Sequence, residues 1–314
     1  MEIKATYEVI IVGGGPAGLS AGLYCMRSGL KTVLIEKGLL GGQVSVSKEV
    51  DNYPGLEGVT GFELGEKMAH HARSFGLTVL QEEVALVTAG AGLHSVRLAN
   101  NDLYQTVCLI LALGGTARKL GVAGEAEYFG RGVSYCATCD GFFFRDKIVA
   151  VVGGGDSAVE EAIHLARLAS KVFLLSRSKD LRASRMLQQH LMAEPKIEVI
   201  WNTVVNEIKG KDGMVNAVSL EDTRTGEKRD LSTDGVFIRV GYSPNNQLIP
   251  AALRMNDRGF VITDEKCESS VPGIFAVGDL RQKYANQIVV AAADGCIAAL
   301  AAAHYVEEKK AGPA

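Results

Sequence analysis

One local pattern, an apolar strand running into a glycine turn and then a helix, occurs twice in this chain and constrains its fold more than any other feature. In the first copy Val9–Val12 reads as a buried strand and Gly13-Gly14-Gly15-Pro16-Ala17-Gly18 as the turn. A helical pattern follows from about Ala17 to Ser28, and Lys31–Ile35 is the next strand, ending at Glu36. In the second copy Lys147–Val152 is the strand, Gly153-Gly154-Gly155-Asp156-Ser157-Ala158 the turn, Asp156–Ala169 the helix and Lys171–Leu175 the next strand. Each copy is a βαβ unit, and parallel strands joined by a crossover helix define an α/β fold. The repeat is of a supersecondary unit, not of a short solenoid period.

The glycines have distinct physical tasks. Gly13 permits a tight turn, Gly15 lets backbone approach a pyrophosphate, and Gly18 lets helix and strand pack closely. Pro16 and Ala17 belong to the same turn and join the candidate dinucleotide contacts. The helix N-terminus offers free N–H groups to the anion, and Glu36 can accept bonds from ribose hydroxyls. In the second turn Gly153, Gly155, Asp156, Ser157 and Ala158 are the corresponding candidates, with Ala158 an allowed variant of the last glycine. The residue at the end of the next strand is Ser176 rather than an acid, with Arg177, Arg182 and Arg185 nearby. Loss of the carboxylate and gain of arginines suits a 2′-phosphate, hence NADP. The other reading of those arginines is a solvated basic face.

Between the two turns stands Cys136-Ala137-Thr138-Cys139. Three readings are open: a zinc half-site, a buried structural pair, or a redox dithiol. No second Cys-x-x-Cys or His pair supplies the remaining zinc ligands, and the dithiol is favoured. Close pairing can lower a thiol pKa and enrich the thiolate. Asp140 is then a candidate proton donor and acceptor, or else a helix cap or turn residue. Of the other cysteines, Cys25, Cys108 and Cys296 lie in apolar patterns and read as inert core.

A length of 314 residues predicts two domains. We place one at 1–114 with 245–314 and the other, inserted, at 115–244. Between and after the βαβ units, β-rich stretches run from Leu77 to Leu113 and from Ile197 to Val240. Gly273–Asp279 reads as a strand ending in Gly-Asp, followed by an apolar helix from about Gln287 to His304. The tail Glu307–Ala314 reads as frayed. With 33 basic and 36 acidic residues, nothing points to nucleic acid or a membrane surface. The start is too short for a signal core, and Asp294, Gly295 and His304 interrupt the alanine-rich segment Ala291–Ala303, so no membrane span is read. The expected location is the cytoplasm.

Together these residues resemble the low-molecular-weight thioredoxin reductases, flavoprotein disulfide reductases, over nearly the whole chain. Gly13–Gly18 with Glu36 is similar to their FAD fingerprint. Gly41-Gly42-Gln43 and Asp51-Asn52-Tyr53-Pro54-Gly55 resemble their flavin-lining loops, and Gly278-Asp279 with Gln287 their closing FAD motif. Cys136–Asp140, followed by Gly141-Phe142-Phe143, matches their active site. The resemblance implies two Rossmann-like domains, with FAD held by residues including Gly42, Gln43, Asn52, Val84, Asp279, Gln287 and Ile288, and NADPH in the second. It implies that Cys139 faces the flavin, Cys136 attacks a thioredoxin-like protein, Asp140 moves the proton, and the enzyme is a homodimer. The chain departs from the family at Ser176 and Ser178, where a His and an Arg are usual, at Leu113 and Asn286, and at Arg239, in an otherwise apolar strand. These departures cluster where the donor would bind and keep ferredoxin, or a second dinucleotide such as FAD in that slot, as alternatives.

Overall fold

The computed structural model describes residues 3–47, 49–50 and 52–311; Asp51 of the flavin-lining loop lies outside them. The chain divides into two units, Met1–Thr116 with Ser243–Ala314, and Ala117–Tyr242.

The discontinuous unit opens with β1 (Ile3–Val12), α1 (Pro16–Arg27) and β2 (Thr32–Ile35), the first βαβ unit. Helix α2 (Gly61–Ser74) follows, its start fixed by a Thr60/Glu63 capping box. Then come β3 (Thr78–Leu80), β4 (Val84–Thr88), β5 (His94–Leu98), β6 (Leu103–Leu111) and β7 (Gly115–Ala117). In the sheet the order is β3-β2-β1-β6-β5-β4, with β1, β2, β3 and β6 parallel and the β4–β5–β6 meander antiparallel.

The end of β1 is buried on both faces. Val9 and Ile11 pack in one cluster with Leu19, Ala21 and Ala298 from the helices, and Ile10 and Val12 pack in another with Val84, Val87 and Val96 of the meander. A strand covered on both sides cannot alternate polar with apolar, which is why it reads Val-Ile-Ile-Val.

The second unit contains β8 (Val133–Ser134), α3 (Ala137–Asp140), β9 (Ile148–Val152), α4 (Asp156–Ala166), β10 (Lys171–Leu175), α5 (Arg185–Ala193) and β11 (Ile197–Ile200). The strands β12 (Thr203–Lys211), β13 (Met214–Asp222) and β14 (Lys228–Ser232) form an antiparallel sheet, and β15 (Gly235–Ile238) returns to the first. That parallel sheet has the order β11-β10-β9-β15-β8. Val149 and Val151 face α4, while Ala150 and Val152 face Val205, Val218 and Leu220 of the antiparallel sheet. The same burial on two sides explains the second apolar run. Strand β16 (Tyr242–Pro244) pairs with β7 where the chain leaves and re-enters the discontinuous unit.

That unit is completed by β17 (Ile274–Ala276) and α6 (Ile288–Ala311). Strand β6 is shared along its length: its first half pairs with β5 and its last residues pair with β17, Ile274 opposite Leu109.

Helix α6 is longer and less interrupted than the sequence suggests. It is one continuous helix of 24 residues, by length and composition apolar enough to cross a membrane, and it continues through the charged tail to Ala311. The residues expected to interrupt it have tertiary roles instead. Gly295 sits against α1, where a Cβ would lie 2.1 Å from Ala17 O. Asp294 is buried but paired with Arg281 at 3.0 Å and Lys283 at 3.4 Å. Its composition is apolar because Ala291, Ala298, Ala299 and Ala302 pack inward. Cys25 and Cys108 are buried as expected, but Cys296 is half-buried.

Gly295→Val should therefore strain the α1–α6 crossing by roughly 1–3 kcal/mol or more. Thermal unfolding should show Tm lowered by roughly 2–12 °C, and an unchanged Tm would mean that the two backbones are not in contact.

Candidate active site

In the discontinuous unit the first glycine turn is closed by backbone at Gly13 and Gly18, by the Leu40 and Glu36 side chains at Gly14, and is open at Gly15. Gly13 has φ +110°, and a Cβ on it would lie 2.3 Å from Ala112 O. A Cβ on Gly18 would lie 1.9 Å from Gly13 O. At Gly15, the cap of α1, the nearest atom to a Cβ is Gly42 Cα at 4.0 Å, and no side chain caps the helix. The first N–H groups of α1 thus face open space, a cradle that suits a pyrophosphate.

Several of the other candidates are tied to this cradle, and Asn52 and Gln287 are tied to each other. Gly41 N–H donates to Gly14 O at 2.8 Å, which lays Gly42 and Gln43 beside the turn, Gln43 in the 3₁₀ turn Gly42–Val46. Glu36 accepts from Gly14 N–H and Gly38 N–H, both at 2.7 Å. It therefore ties down the turn as well as offering its remaining lone pairs to a ribose. Glu82 N–H donates to Glu36 O at 3.1 Å and leads the chain to the buried Val84 at the start of β4. Asn52 donates to Gln287 at 3.3 Å, joining its loop to the residue before Ile288. Asp279 lies in the 3₁₀ turn Gly278–Leu280, 3.2 Å from Lys283. Sequence reasoning missed that Asp294 supports this turn by accepting from Gly278 N–H at 3.1 Å.

In the inserted unit the second turn repeats the first in outline. Gly153 is again pressed on backbone, a Cβ there lying 2.5 Å from Arg239 O, and 2.7 Å from the Ala158 Cβ. A Cβ at Gly155 would meet nothing within 4 Å, and α4 has no side-chain cap. Asp156 accepts from Ser184 N–H at 2.7 Å, while Arg182 N–H donates to Gly154 O at 2.7 Å. The arginine loop is thus pinned to the turn, with Arg177 and Arg182 exposed. Ser176 is buried, and its hydroxyl donates to Ser178 O at 3.1 Å. Ser157 is exposed at the start of α4.

Cys136 and Cys139 form a disulfide across the single turn of α3, with Cα atoms 5.3 Å apart. Ser134, unflagged in the sequence, organises the group. Its hydroxyl lies 2.6 Å from Asp140 Oδ2 and accepts from Cys136 N–H at 3.0 Å. Asp140 is thereby held against the cysteine loop and does not cap a helix. Burial pushes its carboxyl above the usual carboxylate range, opposed by the Ser134 hydroxyl. A carboxyl so shifted can hold and release a proton nearer neutral pH.

Behind the loop lies Glu161 of α4, also missed from sequence. It is buried and accepts from Ala137 N–H at 3.2 Å. Arg239 Nε is 2.9 Å from Glu161 Oε1, and Arg239 Nη1 donates to Tyr135 O at 3.1 Å. Burial pushes the Glu161 carboxyl up to about 7, with Arg239 and the Ala137 N–H opposing and Asp140 and Glu160 adding to the rise.

Comparison with known proteins agrees with this arrangement. Residues 7–295 match the family model described as pyridine nucleotide-disulphide oxidoreductase. A thioredoxin reductase of Bacillus subtilis (strain 168) is 44% identical over 308 residues, covering 98% of this chain and 97% of the relative. One from Treponema pallidum (strain Nichols) is 41% identical, covering 97% and 99%. The crystal structure of thioredoxin reductase from Streptococcus pyogenes MGAS5005 superposes with a TM-score of 0.92 at 42% identity, covering 96% of this chain and 98% of that one. With a family model matched over residues 7–295 and relatives above 40% identity over nearly its whole length, the chain belongs to the pyridine nucleotide-disulphide oxidoreductases.

Proposed function

We propose that this chain is an FAD-dependent thioredoxin-disulfide reductase that takes electrons from NADPH. The observation that carries it is the Cys136–Cys139 disulfide with Asp140 held beside it, in a chain with two open glycine cradles. We assign FAD to the discontinuous unit, through Gly13, Gly15, Pro16, Ala17, Gly18, Glu36, Gly42, Gln43, Asn52, Val84, Asp279, Gln287 and Ile288. NADPH is assigned to the inserted unit, through Gly153, Gly155, Asp156, Ser157, Ala158, Arg177 and Arg182. When bound, the two cofactors would supply the electron pair that reduces the enzyme disulfide.

The protein's own residues do the rest. The electron pair breaks the Cys136–Cys139 bond and leaves a thiolate and a thiol. Asp140 holds the proton that one sulfur takes and later gives up. The Cys136 thiolate attacks the substrate disulfide, forming a mixed disulfide and releasing the first substrate sulfur. Cys139 then attacks Cys136, re-forming the enzyme disulfide and freeing the second substrate sulfur, so both substrate cysteines leave reduced. The acceptor is a thioredoxin-like protein, and the working compartment we assign is the cytoplasm, where such dithiols are catalytic rather than structural. We further propose a homodimer, because Val289, Ile297 and Leu300 form an exposed apolar stripe on α6.

The purified protein should be yellow, and Gly15→Val should lose the flavin, because a side chain there enters the cradle. Cys136→Ser and Cys139→Ser should each keep a flavin that NADPH bleaches yet fail to reduce thioredoxin. Asp140→Asn should slow turnover by roughly 10²–10⁴. Near-parental turnover in either cysteine variant would refute the assignment.

The donor is tested separately. Ser178 stands where the family carries an arginine, and a lost charge-assisted bond of about 1.5–3 kcal/mol weakens binding roughly 10–150-fold. Ser178→Arg should lower the KM for NADPH by a factor in that range without changing that for NADH. Flavin reduction by reduced ferredoxin, but by neither nucleotide, would favour the alternative donor.

A further inference from the structure

The Glu161–Arg239 pair has no place in the steps above, yet it touches the redox loop on both sides of Cys136. Arg239 Nη1 donates to the carbonyl of Tyr135, and Glu161 Oε1 accepts from the N–H of Ala137. Glu161 is buried and Arg239 partly so, yet the pair is poorly satisfied. Glu161 Oε2 has no hydrogen-bond partner, and Arg239 Nε, although 2.9 Å from Glu161 Oε1, is not aligned to bond it. Packing alone would favour apolar residues here, since a buried ion pair repays its desolvation only when its hydrogen bonds are complete.

We propose that Glu161 and Arg239 are positioning residues of the redox loop, which pin the backbone either side of Cys136 and balance charge beside it, so that together they set how readily the disulfide opens. The inference rests on the disulfide-reductase reading and deepens it.

Opening the bond adds two electrons and breaks Cys136 Sγ–Cys139 Sγ. One sulfur takes a proton, and the other carries negative charge until it too is protonated. A guanidinium next to that thiolate stabilises it, and a carboxylate destabilises it. The charged or titratable groups facing Glu161 are Arg239 from the end of β15, Asp140 from α3 and its neighbour Glu160. With both members of the pair present the two effects largely cancel. Removing either charge alone must therefore shift the dithiol–disulfide equilibrium, and in opposite directions. A role limited to packing predicts no such reversal.

The test equilibrates the intact holoprotein with dithiothreitol redox buffers at about pH 8.5, where an ordinary cysteine is half ionised, and counts free thiols by maleimide labelling. Glu161→Gln, which keeps the acceptor for Ala137 N–H, should shift the equilibrium towards the dithiol by roughly three- to tenfold. Arg239→Gln should shift it towards the disulfide by a similar factor, and the double variant should return to within about twofold of the parent. Arg239→Lys, which keeps the charge, should stay within about twofold too. With Glu161→Gln it decides the matter even if Arg239→Gln does not fold. Shifts of the same sign, or no shift in Glu161→Gln, would overturn the proposal. A parent protein that exchanges no pair of thiols reversibly would instead remove the disulfide-reductase reading itself.

Discussion

Three backbone contacts around α1 leave no room for a side chain, and the first nucleotide cradle depends on them. Gly13 lies against Ala112, Gly18 against Gly13, and Gly295 of α6 against Ala17; a Cβ at any of them would come within 2.3 Å of a carbonyl oxygen. These contacts fix the N-terminus of α1 relative to β1, β6 and α6, and so fix where its free N–H groups point. The second cradle is held less tightly. Gly153 is pressed on Arg239 O in the same way, but Ala158 replaces the third glycine, and Asp156 at the helix start accepts from Ser184 N–H.

The two cradles also differ in how the turn is tied to the next strand. In the first, the Glu36 carboxylate bonds the turn directly. In the second, Ser176 bonds its own loop, and the tie is a backbone bond from Arg182 to Gly154. Among the described residues the exposed Arg177 and Arg182 form no ion pair, although Asp156 and Asp180 lie in the same turn and loop. The substitution of one short polar residue for an acid thus changes which ligand the slot can attract.

The parts of this fold that were legible in the sequence are those encoded within a few residues. The two βαβ units, the Cys136–Cys139 pair and the Gly278-Asp279 turn each carry a local pattern that period and turn chemistry reveal. What stayed hidden needs partners distant along the chain. Asp294 looked like a helix breaker because a lone acid in an apolar helix is costly; Arg281 and Lys283 offset that cost only once the loop folds back. Glu161 was one of two adjacent acids on α4, and nothing local says which one turns inward to Ala137. Arg239 could be seen as out of character beside an apolar run, although the strand ends at Ile238, one residue short of it, and its partners could not be read from sequence. Ser134 lies six residues before Asp140 with no spacing rule to join them.

The sharing of β6 bears on how the chain is made. Its second half is bordered by β17, which a ribosome delivers only after the whole inserted unit, whereas every strand of that unit's parallel sheet has emerged by Ile238. The inserted unit can therefore complete its sheet while the unit around it still waits with an open edge along Leu109–Leu111. Pairings so far apart in sequence form slowly, and an unpaired strand of Leu, Ile and Leu is adhesive. The nascent protein is thus exposed to aggregation in the interval between the emergence of β6 and the docking of β17, and a truncated chain lacking β17 would retain that hazard permanently.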